Sequence, residues 1–186
     1  TLALDSDGTV ESLLAIDYPN TGRTVAEELT HLIATIGENM NIRRISKLDV
    51  DNGVVAHYVH NAITPTSGKI GVLVAMEGTG DTAKLEEEGK KIAMHVAATS
   101  PLALTVEDLD PEAVERERTV LSDQARESGK PEAIIEKMVE GRLRKEYFQQ
   151  VVLLQQTFVI DGKATVDQAV KAFEKELGSP VKITKF

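Results

Sequence analysis

The sequence contains no cysteine and no tryptophan, and only four Phe and three Tyr among its 186 residues. Without thiols there is no disulfide, thiolate zinc site, iron–sulfur cluster or cysteine nucleophile, which suits a reducing compartment. So few aromatics also disfavour a platform for stacking sugars or bases. Positive charge is scarce as well: 21 Lys and Arg stand against 30 Asp and Glu, a formal charge of −9. A field of that sign repels phosphate backbones and anionic lipid. The one dense basic group, Arg142, Arg144 and Lys145, lies among glutamates and reads as a solvated helix face. No apolar run approaches the roughly 18 residues of a spanning helix, and nothing near Thr1 reads as a secretory signal. The expectation is a soluble, cytoplasmic chain that binds neither nucleic acid nor membrane.

What is present is ordinary globular material, 41% hydrophobic and 27% charged, enough for one large domain or two small lobes. Thr24-Val25-Ala26-Glu27 is a capping box, and Val25, Leu29, Leu32, Ile33 and Ile36 then recur at helical spacing up to Gly37, predicting a core-facing helix. Residues 1–23 read as a loop with one turn of helix or strand. Met40–Ile45 alternates and predicts a strand, followed by the turn signal Asp51-Asn52-Gly53. Val54–His60 and Lys69–Met76 predict an antiparallel pair around a loop at 61–68. In the second run Ile70, Val72, Val74 and Met76 share one face and Leu73 and Ala75 the other, so the strand is expected to be central and covered on both sides.

A helix from Thr82 to about Thr99 carries Leu85, Ile92, Ala93, Val96 and Ala97, with His95 at the edge of the stripe, and Pro101 stops it. Asp110-Pro111-Glu112 starts another helix, running to about Ser128. After Gly129-Lys130-Pro131 a further stripe, Ile135, Val139, Leu143 and Tyr147, completes an antiparallel helical hairpin, whose charge implies a projection into water. Val151–Val159 predicts a strand, and Thr165 with Gln168 a second capping box. The closing helix carries Val166, Ala169, Val170, Phe173 and Leu177, and a strand begins at Val181. Clustered strands with intervening helices make the fold class α+β with antiparallel sheets.

Chemistry is harder to place. Gly78-Thr79-Gly80-Asp81-Thr82-Ala83 matches G-x-G-x-x-A between an apolar strand and a helix, as in a dinucleotide-binding turn with Glu107 for the ribose. A polar turn capped by Asp81 or Thr82 fits the same residues, and Glu77 beside the supposed phosphate site favours that plainer reading. His57 and His60 face opposite sides of a strand and have no carboxylate at ligand spacing, so no metal site is expected. No Ser/His/Asp constellation assembles, so no catalytic residue and no cofactor is nominated. The residues point to a binding protein.

Three stretches carry a resemblance: Ile36-Gly37-Glu38-Asn39-Met40-Asn41-Ile42-Arg43-Arg44; Gly68-Lys69-Ile70-Gly71-Val72-Leu73-Val74 followed by Ile92-Ala93-Met94-His95-Val96-Ala97-Ala98; and Gly129-Lys130-Pro131 with Ile135-Glu136-Lys137-Met138-Val139-Glu140-Gly141-Arg142. Together, in order and spacing, they resemble the bacterial elongation factor Ts family from about Val25 to about Val170. The resemblance implies a guanine-nucleotide exchange factor for elongation factor Tu, of bacterial or organellar origin, without covalent chemistry. It also implies two dimerisation-domain-like α+β lobes, here 1–53 as the remainder of the first and 54–186 as the second, with a helical hairpin inserted at 110–148. Family contacts with the GTPase map onto Ile70, Gly71 and His95. Family members also carry an N-terminal helical domain and a Thr-Asp-Phe-Val motif whose Phe wedges into the GTPase, and that motif does not occur here. The chain, opening on Thr1, is therefore expected to be a fragment that keeps the docking lobe and lacks the wedge.

Overall fold

The computed structural model describes residues 2–186, in two compact units divided between Lys47 and Leu48. In the first unit, α1 (Leu2–Asp5) and α2 (Val10–Ala15) precede a two-residue antiparallel pair, β1 (Asp17–Tyr18) with β2 (Arg23–Thr24), and then α3 (Val25–Ile36). The expected loop at 1–23 is thus more ordered than its composition implies. Asp7 accepts from the Thr9 amide and hydroxyl, and Thr9 in turn caps α2 by accepting from Ser12 N.

The capping box of α3 forms as its spacing dictates. Thr24 Oγ1 accepts from Glu27 N at 3.3 Å, and Glu27 Oε2 accepts from Thr24 N at 2.8 Å. Gly37, with φ of 81°, ends the helix. Its apolar stripe is less covered than expected, for only Val25 is buried and Ile36 is 56% exposed. A unit this small has little apolar surface with which to cover a three-turn helix. The expected strand at Met40–Ile45 is absent: residues 37–50 hold no regular element. A short alternating run without a partner strand has nothing to satisfy its amides and carbonyls in a ladder.

The second unit is built on a three-stranded antiparallel sheet of order β3 (Gly53–Thr64), β4 (Ser67–Gly78), β5 (Val181–Lys185). β4 is central, as its apolar run implied. The strands run longer than expected, so the supposed loop at 61–68 shrinks to a tight turn around Pro65 and Thr66. Tyr58 pairs with Val72, Ala56 with Val74 and Val54 with Met76, placing these residues on one face. Helix α4 (Thr82–Thr99) covers that face through Leu85, Ile92, Ala93 and Val96. Gly89 lets it approach closely: a Cβ there would lie 2.6 Å from Ala56 Cβ and 2.9 Å from Met76 Sδ. Helix α8 (Val166–Leu177) adds Val166 and Val170 to the same core, and Val181 and Ile183 join it from β5.

The hairpin is present as α5 (Pro111–Arg126) and α6 (Glu132–Arg142), with a core of its own from Leu121, Ala125, Ile135, Val139 and Leu143. After α6 the chain continues as a six-residue π-helix, Leu143–Phe148, then α7 (Gln149–Val151). Val114, Tyr147 and Phe148 pack both on the hairpin core and on a second cluster, Ala103, Leu109 and Val152. The expected strand at Val151–Val159 is replaced by a helical turn, a 3₁₀ turn at Leu153–Gln155, and single bridges from Val152 to Ala103 and from Thr157 to Thr165. Its apolar residues are buried here by converging loops and helices instead of along a ladder. The α+β class stands. Among the described residues no helix is long and apolar enough to cross a membrane.

One position in the hairpin is tuned below its best stability. Gly141 is exposed in a helix interior, and a Cβ added there meets nothing within 4 Å. Gly141→Ala should therefore raise stability by about 0.5–1 kcal/mol through helix propensity alone. Thermal unfolding checks this, and a lowered midpoint would contradict it.

Candidate docking site

The second half of β4 is buried and the first half is open. Val74, Ala75 and Met76 are inaccessible, whereas Ser67–Gly71 are exposed and Leu73 is only partly covered. The expectation of cover on both faces therefore holds only towards the end of the strand. Ile70 is 42% exposed and pairs with His60, on the face that α4 covers further along. Gly71 pairs with Val59 and points the other way, where a Cβ would meet nothing within 4 Å. Neighbours on a strand face opposite sides, so Ile70 offers a side chain to one face and Gly71 offers bare backbone to the other. With Ile63 open at the far end of β3, the distal half of this β-hairpin carries apolar surface.

His95 is not at the boundary where its helical spacing placed it. It is completely buried, because the segment after α7 folds across that flank of α4. Its ring lies 5.7 Å, centroid to centroid, from Phe158. Nδ1 accepts from Val159 N at 3.3 Å and Nε2 meets Gln156 Oε1 at 2.9 Å. Burial holds its pKa below the usual value near 6.5, against the opposing pull of the Gln156 hydrogen bond. The imidazole is therefore a neutral structural group at neutral pH.

What His95 supports is a turn that periodicity missed. Phe158 N donates to Ala164 O at 2.8 Å and Gly162 N donates to Phe158 O at 2.8 Å. Asp161 Oδ1 accepts from Lys163 N and Ala164 N. These bonds fix a tight turn whose tip presents Val159, 46% exposed, and Ile160, 50% exposed. Two adjacent, half-exposed apolar residues thus stand together at the tip of this turn. The signal available in sequence was Asp161-Gly162 after an apolar pair, a turn signature that the reading as a strand end concealed.

The Gly78–Ala83 turn does not have phosphate-binding geometry. The strand before it is antiparallel to both neighbours, unlike that of a dinucleotide-binding unit. Asp81 Oδ1 already accepts from Ala83 N at 2.9 Å and Lys84 N at 3.4 Å, so the first amides of α4 are occupied by a carboxylate. A Cβ on Gly80 would lie 2.5 Å from Ser179 Oγ and 2.6 Å from Leu177, so its small size serves packing. Among the described residues no three His, Asp or Glu side chains gather as metal ligands.

A family profile described as "Elongation factor TS" matches residues 1–186. Among curated proteins, elongation factor Ts of Rhodospirillum centenum is 57% identical over 185 residues, covering 100% of this chain and 60% of the relative. That of Caulobacter vibrioides is 56% identical over 184 residues, covering 99% and 58% respectively. That of Bartonella henselae is 53% identical over 186 residues, covering 100% and 60%. The chain thus spans about 60% of the length of the curated relatives it matches.

Proposed function

The chain belongs to the elongation factor Ts family, and from that premise we propose that it binds the GTPase elongation factor Tu in the bacterial cytoplasm and serves GDP release during translation elongation. The match of the family profile along residues 1–186 carries this reading, and the open half of β4 supplies a surface for it. Such a role makes and breaks no covalent bond and needs no cofactor, metal or nucleic-acid contact. A factor that binds the nucleotide-free GTPase more tightly than its GDP form must, by linkage, weaken GDP by the same factor.

Docking on this reading uses Ile70 as an apolar anchor and Gly71 as a point of close backbone approach. His95 contributes from behind, by holding the Val159–Ile160 turn against α4. The lobes at 1–53 and 54–186 correspond to the family's core, with the hairpin 110–148 inserted in the second. No Thr-Asp-Phe-Val sequence occurs in these residues. They therefore grip the GTPase and accelerate GDP release only weakly, because a grip that does not distinguish the nucleotide states shifts no equilibrium between them.

Calorimetry with elongation factor Tu and stopped-flow release of a fluorescent GDP analogue separate the two steps. Ile70→Asp should weaken binding by about 2 kcal/mol, the loss typical of an anchor residue. An undiminished affinity would remove Ile70 from the interface, and no binding by the parent chain would overturn the docking reading. Rapid GDP release would show that the wedge function resides in these residues.

A further inference from the structure

Behind the Val159–Ile160 turn, the hydrogen bonds that join His95 to Gln156 and Val159 have only one consistent pattern. A backbone amide can only donate, so Val159 N–H requires His95 Nδ1 to be unprotonated. In the neutral imidazole the proton then sits on Nε2, which donates to Gln156 Oε1. The single proton of the Thr99 hydroxyl reaches either that oxygen at 3.0 Å or His95 O at 2.9 Å, and the amide nitrogen of Gln156 donates to Gln150 O at 2.6 Å. Gln156 is itself buried, and its own amide donates to Val152 O at 3.1 Å. Its side chain cannot turn over without placing NH₂ against the Nε2–H of His95 and oxygen against the Gln150 carbonyl.

We propose that Gln156 is a positioning residue for docking: it fixes the His95 tautomer, and through it holds the Val159–Ile160 turn in the conformation that meets the partner. The proposal rests on the docking reading above. Only a side chain with an acceptor and a donor on one rigid amide satisfies His95 and Gln150 together. Glutamate keeps the acceptor for His95 but loses the donor to Gln150, and its charge stabilises the imidazolium. An imidazolium carries a proton on Nδ1 and no longer accepts from Val159 N–H. The ring's hydrogen bonds reach only Gln156 and Val159 among the described residues, so no other partner offsets the change.

The test is nitrogen NMR of the His95 ring together with amide hydrogen exchange and calorimetry against elongation factor Tu. In the parent chain at neutral pH, Nδ1 should be unprotonated and Nε2 protonated. Gln156→Glu should protonate both nitrogens at neutral pH, speed exchange of the Val159 amide at least tenfold and leave the Val74 amide unchanged. Its affinity should fall about tenfold at neutral pH and recover in part as pH rises and Nδ1 is freed. A merely structural role would move the Val74 amide too and give no such pH profile. Protonated Nδ1 in the parent chain would overturn the proposal without any variant, whether or not Gln156→Glu folds. An unchanged Val159 amide in a folded Gln156→Glu would overturn it as well. Failure of the parent chain to bind would overturn the docking reading alone, since the tautomer and exchange results do not depend on the partner.

Discussion

His95→Ala should cost about 3 kcal/mol of folding stability, read as a shifted urea midpoint at unchanged slope. The change empties a fully buried site between α4 and the Phe158 ring and strips the Val159 amide of its acceptor. A cavity and an orphaned donor are each worth about 1–3 kcal/mol, and for a domain of ordinary stability their sum is a large fraction of the whole. His95→Asn should recover part of the loss, since its Oδ1 stands near the place of Nδ1 and accepts from Val159. A surface contact residue would behave differently, losing affinity and keeping stability. If His95→Ala unfolds at the parent midpoint, His95 is not the buried support described here.

The same group sets a pH dependence whose sign is fixed. The unfolded chain protonates His95 with the ordinary pKa near 6.5, whereas the folded chain, through burial, protonates it only at lower pH. Between those two values the unfolded state binds more protons, so folding stability falls as pH drops. Above the ordinary value the contribution is constant. Comparing parent and His95→Asn from pH 8 downward isolates it, because the other carboxylates and histidines are shared.

Much of this fold was legible because its signals are local. The boxes at Thr24 with Glu27 and Thr165 with Gln168 need only three-residue spacing, and both form as the residue types dictate. The central place of β4 followed from its unbroken apolar run, and the hairpin from two stripes around Gly129 and Pro131. The failures are non-local. Val152 is apolar in any reading, but its burial comes from pairing with Ala103, far away in the chain, and the interval between them is filled by the hairpin. His95 sits one residue from the buried stripe, and only the arrival of Gln156 and Val159 decides that it is core. For the same reason Gln156 gave no signal at all. Ile70 and Gly71, like His95, stand out as contact residues only through family resemblance, and strand alternation alone says only that Ile70 and Gly71 face opposite ways.

The largest expected loss comes from removing the helical hairpin at the wrong place. Its charge implies a projection into water, one whose removal would leave the rest of the unit intact. The distal part fits that description: the pairs of Arg118 with Glu140 and Arg126 with Glu132 are exposed, and ion pairs held in water contribute little to stability. The root does not fit it. Val114, Tyr147 and Phe148 cover Ala103, Leu109 and Val152, all three buried and outside or at the edge of the hairpin. Replacing 111–148 by a short Gly/Ser bridge should therefore lower stability by about 4 kcal/mol, somewhat less than the transfer energy of three fully buried side chains because these three are only partly buried. Replacing 119–141 instead keeps Val114 on two turns of α5 and Tyr147 and Phe148 on the π-helix, and uncovers only Leu143 among the buried residues that remain. That shorter deletion should unfold cooperatively with a loss of about 2 kcal/mol, the transfer energy of one such side chain, since a short loop closing adjacent helix ends costs little entropy. Urea titrations of both deletions decide it. Equal losses would mean that the distal stripes support the sheet, and a harmless full deletion would mean that the root contacts contribute nothing.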